Sequence, residues 1–271
     1  LAAIGADLAL GAVRVAARLF RHTLARGGGV ERGGRALLIR TVALTGSTND
    51  DVAALAREGA PEGLWLRAER QSGGKGRQGR AWESPAGNLH ASTLVRLRPG
   101  DPPAPTLALV AAIALHEVTG AYAPGSDLLI KWPNDLLAGG AKLAGILLER
   151  EGEAVVVGFG VNLAAHPGDT PRAATSLAAL TGSAADPAAF LDALAAAFAR
   201  WLGRWRGEGV APVRAAWLAA AHPRGTALST HDPSGAEVRG LFDGLDETGA
   251  LRLRLADGTV ELILAGDVFL I

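Results

Sequence analysis

A glycine-rich, basic run occupies residues 71–82, Gln-Ser-Gly-Gly-Lys-Gly-Arg-Gln-Gly-Arg-Ala-Trp, and the residues just after it narrow the fold sharply. Gly74, Gly76 and Gly79 spell the G-x-G-x-x-G of a dinucleotide site. That fingerprint needs a helix directly after the glycines, so that its N-terminus meets the pyrophosphate. Here Glu83-Ser84-Pro85-Ala86-Gly87 is a turn, after which Leu89, Ala91, Thr93, Val95 and Leu97 alternate as a strand does. The Rossmann reading is therefore rejected. A P-loop fails as well, because no Gly-Lys-Ser/Thr closes the run. A loop between strands remains. Its glycines bare backbone N–H groups while Lys75, Arg77 and Arg80 supply positive charge, which suits phosphate or another oxyanion. Trp82 adds a flat face fit for a planar base. The bland alternative is a solvated basic loop touching nucleic acid.

Charge bears on that alternative. Lys and Arg number 27 and Asp and Glu 27 in 271 residues, so no global field draws nucleic acid or anionic membrane. Cysteine is absent, which excludes disulfides and thiolate metal sites. The histidines at 22, 90, 116, 166, 222 and 231 lack metal-ligand spacing, and no Gly-x-Ser-x-Gly elbow occurs. Neither a covalent nucleophile nor a metal cage built by the protein alone is expected. No uninterrupted apolar run reaches the roughly 18 residues of a membrane span.

Along the chain, strand and helix patterns interleave. Residues 1–36 carry a helical stripe at Ile4, Leu8, Val15 and Leu19 and end in glycine clusters, so they read as a helical extension and linker, with a targeting segment as the alternative. Residues 37–44 read as a strand, and Thr45-Gly46-Ser47-Thr48-Asn49-Asp50 as caps of a helix from 51 to 58. A strand at 64–68 leads into the glycine loop, and a helix covers 106–122. Further strands are expected at 127–131, 142–149 and 154–163, the last with Gly158 and Gly160 inside it; glycine in a strand often marks a close approach by ligand or backbone. Residues 172–221 read as helices. From Gly225 the texture becomes short strands between Asp-Pro-Ser-Gly, Asp-Glu-Thr-Gly and Ala-Asp-Gly turns, a small all-β module. The expected fold class is α/β (α+β), a mixed-sheet domain over 37–223 followed by a small barrel over 224–271. The candidate chemistry sits where elements end: the hydroxyl turn, the anion loop, Lys131-Trp132-Pro133-Asn134-Asp135, Lys142 and the glycine-bared strand. These point to a nucleotide-using enzyme without naming its substrate.

The ordered set Gly-Ser-Thr-Asn-Asp (46–50), Glu-Arg-Gln-Ser-Gly-Gly-Lys-Gly-Arg-Gln-Gly-Arg-Ala-Trp (69–82), Ser-Pro-Ala-Gly-Asn-Leu (84–89), Lys-Trp-Pro-Asn-Asp (131–135), Lys-Leu-Ala-Gly-Ile-Leu (142–147) and Gly-Val-Asn (160–162) resembles the biotin protein ligases. The match runs from about residue 38 to the C-terminus; each piece is weak alone and the ordered set is specific. The resemblance implies a biotin/lipoate-ligase-like catalytic domain with a C-terminal SH3-like barrel, and two half-reactions. Biotin and ATP, with Mg²⁺, give biotinyl-5′-AMP and pyrophosphate; a lysine of a biotin carboxyl carrier protein then takes the biotinyl group. It implies that Ser47, Thr48, Asn49 and Gln71 line the biotin pocket, with Gly145, Gly158 and Gly160 leaving room. Lys75, Gly76 and Arg77 form the loop that closes on biotin and its adenylate. Arg77 and Lys142 become the cations on the carboxylate and α-phosphate, Arg80 and Trp82 pack on adenine, and Asn134, Asp135 and Asn162 lie at the nucleotide and acceptor-lysine end. Arg77, Lys142 and Asp135 are the catalytic candidates.

One position departs from the family, where arginine is usual at 75; lysine lacks the planar fork. The doubled Gly73-Gly74 is expected to loosen the empty loop. Two rivals stand beside the ligase: a lipoate or octanoyl transferase of the same superfamily, and a biotin-sensing repressor, which needs a DNA-binding head that residues 1–36 do not supply. The expected setting is cytoplasmic, as monomer or homodimer, without DNA or membrane partners.

Overall fold

The period-two run at the start of the mixed-sheet region becomes strand β1, Leu38–Thr45, and pairs in parallel with β2, Leu64–Gln71. A parallel pair needs a crossover, and helix α1, Thr48–Arg57, supplies it. The computed structural model describes residues 38–170, 172–231 and 235–271. The expectations for residues 1–36 lie outside them. The chain divides into two compact units, one holding the residues up to Leu97 with Leu147–Gly160, the other Arg98–Ile146 with Val161–Ile271.

In the first unit β2 pairs antiparallel with β3, Leu89–Arg96. The strand order continues β1-β2-β3-β7-β6, with β7 spanning Ala154–Val161 and β6 Ala141–Glu151. The inward face of α1 explains its place: Val52 and Leu55 pack with Leu64, Leu66, Leu94 and Val156 in one apolar cluster. β3 is buried on both faces, so its polar residues Ser92 and Thr93 must find partners inside.

In the second unit the order is β6-β5-β4, with β4 at Leu128–Lys131 and β5 at Asp135–Ala138. Both pairings are antiparallel. The expected strand does end at Lys131, while β5 is absent from the strands expected above. Helix α2, Leu107–Tyr122, is buried along most of its circumference, as an apolar helix must be in a core. With the turn before it, Ala104–Tyr122 runs 19 residues at mean hydropathy 1.4, long and apolar enough to cross a membrane by composition, yet mostly buried here. It packs on α4, Pro187–Glu208, and α5, Val210–Ala219. Trp205 of α4, fully buried, donates its Nε1–H to Thr106 Oγ1 at 2.7 Å. The proline expected at a helix start is Pro187, behind an Asp186 cap that accepts from Ala188 N. A short helix α3, Leu177–Thr181, precedes it.

The last stretch of this unit forms β8 (Ala227–His231), β9 (Glu237–Leu245), β10 (Leu251–Arg254), β11 (Val260–Ile263) and β12 (Phe269–Leu270). They make one antiparallel sheet in the order β11-β10-β9-β8-β12, the small all-β module expected. Two of its turns are closed by aspartate side chains: Asp246 Oδ1 accepts from Thr248 N and Ala250 N, and Asp257 Oδ1 from Thr259 N.

Candidate active site

In the first unit the hydroxyl turn does more than cap a helix. Ser47 stands at the N-cap of α1, but its side chain makes no capping bond. Thr48 and Asn49 lie inside the first turn of the helix, each 4 % exposed. The orphan Thr48 N–H is satisfied from a distance, by Gln71 Oε1 at 2.7 Å. So the capping read from sequence is corrected: the cap comes from the end of β2, and the hydroxyl and amide are released for an inner network. Thr48 Oγ1 meets Ser92 Oγ at 2.7 Å, and Ser92 Oγ donates to Asn49 Oδ1 at 2.6 Å. Asn49 Nδ2 donates to Glu149 Oε2 at 2.7 Å. Gln71 Nε2 reaches Ser84 Oγ at 3.0 Å. Ser92, Ser84 and Glu149 are members that sequence reasoning missed. Ser92 falls on the polar face of the alternating run, with His90 and Arg96, so its burial was not signalled in the sequence.

The two glycines of β7 hold these side chains closely. A Cβ on Gly158 would overlap the Asn49 amide, and one on Gly160 would lie 2.5 Å from Trp82 Cε2. The space left by the glycines is thus shaped by Asn49 and by the Trp82 indole. The anion loop is a small hairpin: Lys75 bridges Ala81, Gly76 N donates to Arg80 O at 2.7 Å, and Trp82 N to Gly74 O at 2.9 Å. Arg77–Gly79 is a single tight turn at its tip, with Gln78 at φ 58°. Gly74 is sterically required, since a Cβ there would meet Trp82 O and Ser84 Oγ. Lys75 Nζ lies 2.6 Å from Asp50 Oδ2 at the start of α1, and this bond raises the lysine's pKa. The residue that departs from the family pattern is therefore a strap between loop and helix. Arg77 is half-buried and Arg80 exposed.

In the second unit the other candidates gather around the β4–β5 hairpin. Lys131 and Asp135 are its closing pair across Trp132-Pro133-Asn134. Asn134 Nδ2 donates to Ile146 O at 2.6 Å, and Ile146 N to Asn134 O at 2.9 Å, so the turn is clamped to β6. Asp135, 7 % exposed and opposite Gly145 in the ladder, receives Lys142 Nζ at 2.7 Å on Oδ1 and Lys131 Nζ at 3.9 Å on Oδ2. Burial pushes the Lys131 ammonium below the ordinary lysine value, and the Asp135 charge opposes that. Asn162 supports Lys142 indirectly: its N–H donates to Leu143 O and its Nδ2 to Thr175 O, while Thr175 N donates to Lys142 O. The turn is also held by the C-terminal sheet, since Trp132 Nε1 donates to Gly249 O at 3.1 Å. Of the predicted residues, Ser47, Thr48, Asn49, Gln71, Lys75, Gly76, Arg77, Arg80, Trp82 and Gly158 fall in the first unit. Asn134, Asp135, Lys142, Gly145 and Asn162 fall in the second.

Comparisons with known proteins show the family of the chain. Residues 43–163 match the model of the biotin/lipoate A/B protein ligase family, and 232–271 that of the biotin protein ligase C-terminal domain. The chain is 44% identical over 241 residues to the biotin–[acetyl-CoA-carboxylase] ligase of Paracoccus denitrificans, covering 84% of this chain and 98% of that ligase. It is 36% identical over 233 residues to the enzyme of the same name from Mycobacterium tuberculosis, covering 84% and 86%. The fold is that of the Aquifex aeolicus biotin protein ligase solved with biotin and ATP, with a TM-score of 0.77 at 22% identity over 86% of this chain and 99% of the other.

Proposed function

The chain belongs to the biotin protein ligase family, and on that premise we propose that it joins biotin to a carrier lysine at the expense of ATP. In the first half-reaction a biotin carboxylate oxygen attacks the α-phosphorus, the bond to the leaving pyrophosphate breaks, and biotinyl-5′-AMP forms. In the second, the amine of one lysine on a biotin carboxyl carrier protein attacks the acyl carbon. The carbon–oxygen bond to AMP breaks, and the lysine loses its proton. The first step brings two anions together and the second expels one, so the protein's task is alignment and neutralisation.

The observation that carries this reading is the network of buried Thr48, Asn49 and Ser92 with the half-buried Gln71. Polar side chains are buried this way when they are hydrogen-bonded or when they meet a polar ligand, and a ureido ring offers N–H groups and a carbonyl to exchange with them. Ser47 and Gly158 complete that wall. Lys75, Gly76 and Arg77 close over biotin and adenylate; Arg77 and Lys142 neutralise carboxylate and α-phosphate; Arg80 and Trp82 take the adenine. Asn134 and Asn162 hold the nucleotide end, Gly145 gives clearance, and Asp135 accepts from the incoming lysine amine. Among the described residues no group of three or more histidines and carboxylates could hold a metal. Magnesium is taken to enter as MgATP, bound chiefly by phosphates and water. We assign residues 37–223 to the catalytic domain, 224–271 to an SH3-like domain and 1–36 to an extension. Such a reaction belongs in the cytoplasm, where ATP and the carboxylase carrier meet.

The test is isotope exchange between pyrophosphate and ATP, and then transfer of labelled biotin to a carrier domain. Exchange is expected with biotin and not with lipoate or octanoate. Exchange supported by lipoate and unmoved by biotin would overturn the reading.

A further inference from the structure

The hydroxyl network of the first unit holds more acceptors than hydrogens. Both of its ends are fixed by neighbours that leave no choice of orientation. At one end Gln71 Oε1 receives the Thr48 backbone N–H at 2.7 Å, so the amide oxygen faces Thr48. At the other end Asn49 Nδ2 donates to Glu149 Oε2 at 2.7 Å, with the Leu147 carbonyl 3.4 Å away. The Asn49 oxygen is thereby turned to Ser92. Between these two oxygens stand the hydroxyls of Thr48 and Ser92. The links measure 3.1 Å from Thr48 to Gln71, 2.7 Å from Thr48 to Ser92 and 2.6 Å from Ser92 to Asn49. A hydroxyl carries one hydrogen, so three links share two hydrogens. The two short links take them: Ser92 donates to Asn49 and Thr48 to Ser92. Thr48 Oγ1 and Gln71 Oε1 then face each other with lone pairs alone, and a donor from outside the chain satisfies both.

We propose that Glu149 is a positioning residue that sets the hydrogen-bond sense of this chain, and so makes the pocket select a ligand that brings an N–H. The alternative sense shows why. With the Asn49 amide reversed, its nitrogen would donate to Ser92. The Ser92 hydrogen would turn to Thr48 and the Thr48 hydrogen to Gln71. All three links would be filled, and Thr48 would have no need of a ligand donor. The Leu147 carbonyl lies beyond ordinary hydrogen-bond range and holds the amide weakly. The bond to Glu149 is the short one, and a carboxylate only accepts. Gly158 admits the arrangement, since the Asn49 oxygen occupies the place of its missing side chain. The inference rests on the ligase reading and deepens it: of the groups on a cyclic urea, the N–H is what Thr48 and Gln71 recognise, and Glu149, which need not touch biotin, is the origin of that preference.

Two measurements test it. The first needs neither activity nor ligand: neutron diffraction from crystals of the full chain grown in heavy water, without biotin. The Ser92 deuterium is expected on the line to Asn49 and the Thr48 deuterium on the line to Ser92. A Thr48 deuterium turned to Gln71 overturns the proposal. The second compares, by calorimetry, biotin with the two cyclic carbamates in which one or the other ureido N–H is replaced by oxygen. The unaltered protein should prefer biotin over at least one carbamate by about a hundredfold or more. In Glu149→Met, which cannot accept from Asn49, that ratio should fall about tenfold. Glu149→Gln offers an amide oxygen in the same place and should keep the ratio within about threefold. Equal losses of affinity for biotin and carbamate in Glu149→Met, with the ratio unmoved, assign Glu149 a structural role only and overturn the proposal. Should Glu149→Met fail to fold, Glu149→Ala is read by the same criteria. If the unaltered protein binds no biotin, the ligase reading falls, while the deuterium positions still decide the sense of the chain.

Discussion

Gly158 is where a single added methyl group would be felt most. Its missing side chain is the space into which Asn49 folds, and Asn49 there accepts from Ser92 and donates to Glu149. Gly158→Ala should drive the amide off both partners and leave buried polar atoms unmatched, at a cost of about 1–3 kcal/mol. Biotin affinity should fall about tenfold or more, read by calorimetry beside a denaturation curve. Gly168→Ala, with nothing within 4 Å of its added carbon, is the control and should change neither. A Gly158→Ala protein that binds and melts as the parent does would show that Asn49 can leave at no cost. The sequence marks Gly158 as a place of close approach but does not say what approaches. The partner lies far earlier in the chain, and only the pairing of β3 with β2 and the crossover through α1 bring it near.

At the scale of elements, the glycine loop is a hairpin strapped to α1 by Lys75 and Asp50. Both side chains are about half exposed, so the strap contributes little to global stability, under about 1 kcal/mol. Asp50→Ala should therefore leave the denaturation midpoint nearly unchanged while speeding tryptic cleavage after Lys75, Arg77 or Arg80 in the empty protein. Equal cleavage rates would show that the hairpin holds by its backbone bonds alone. The loop, the long helices and the C-terminal strands are legible because each obeys a local rule of periodicity or turn chemistry. Strand β5 is not, although a signal for it is present: Leu136-Leu137-Ala138 is succeeded by Gly139-Gly140, both at positive φ, a two-residue hairpin turn leading into β6. Reading Asp135 as the end of a turn obscures that it begins a strand. With that strand in place, Lys131 and Asp135 become a cross-strand pair, which the spacing of one lysine and one aspartate does not reveal.

For the whole molecule the titration of buried groups sets the response to acid. Burial holds His90, His116 and His222 below the ordinary histidine value. The unfolded chain regains that value, so on acidification through about pH 6.5 it binds protons first and stability falls. The loss continues until the native values are passed. Lys131, also lowered by burial, works in the same sense at the alkaline end, its penalty shrinking as pH rises through its native value. The thermal midpoint should be nearly level between about pH 7 and 8 and decline below about 6.5, more gently in His116→Gln. A midpoint that climbs as the buffer is made acid would contradict the assignment. Sequence counting lists these histidines but cannot bury them. His90 lies on a strand enclosed on both faces, at 1 % exposure, and that enclosure is a product of the sheet. The bond from Trp132 to the carbonyl of Gly249 bears on how this enzyme can be cut. A shortened version ending near residue 223 would not be a minimal catalyst but one half of a split protein, its lysine-bearing hairpin unanchored. Supplying the missing fragment in trans should restore turnover only as fast as the two pieces find each other.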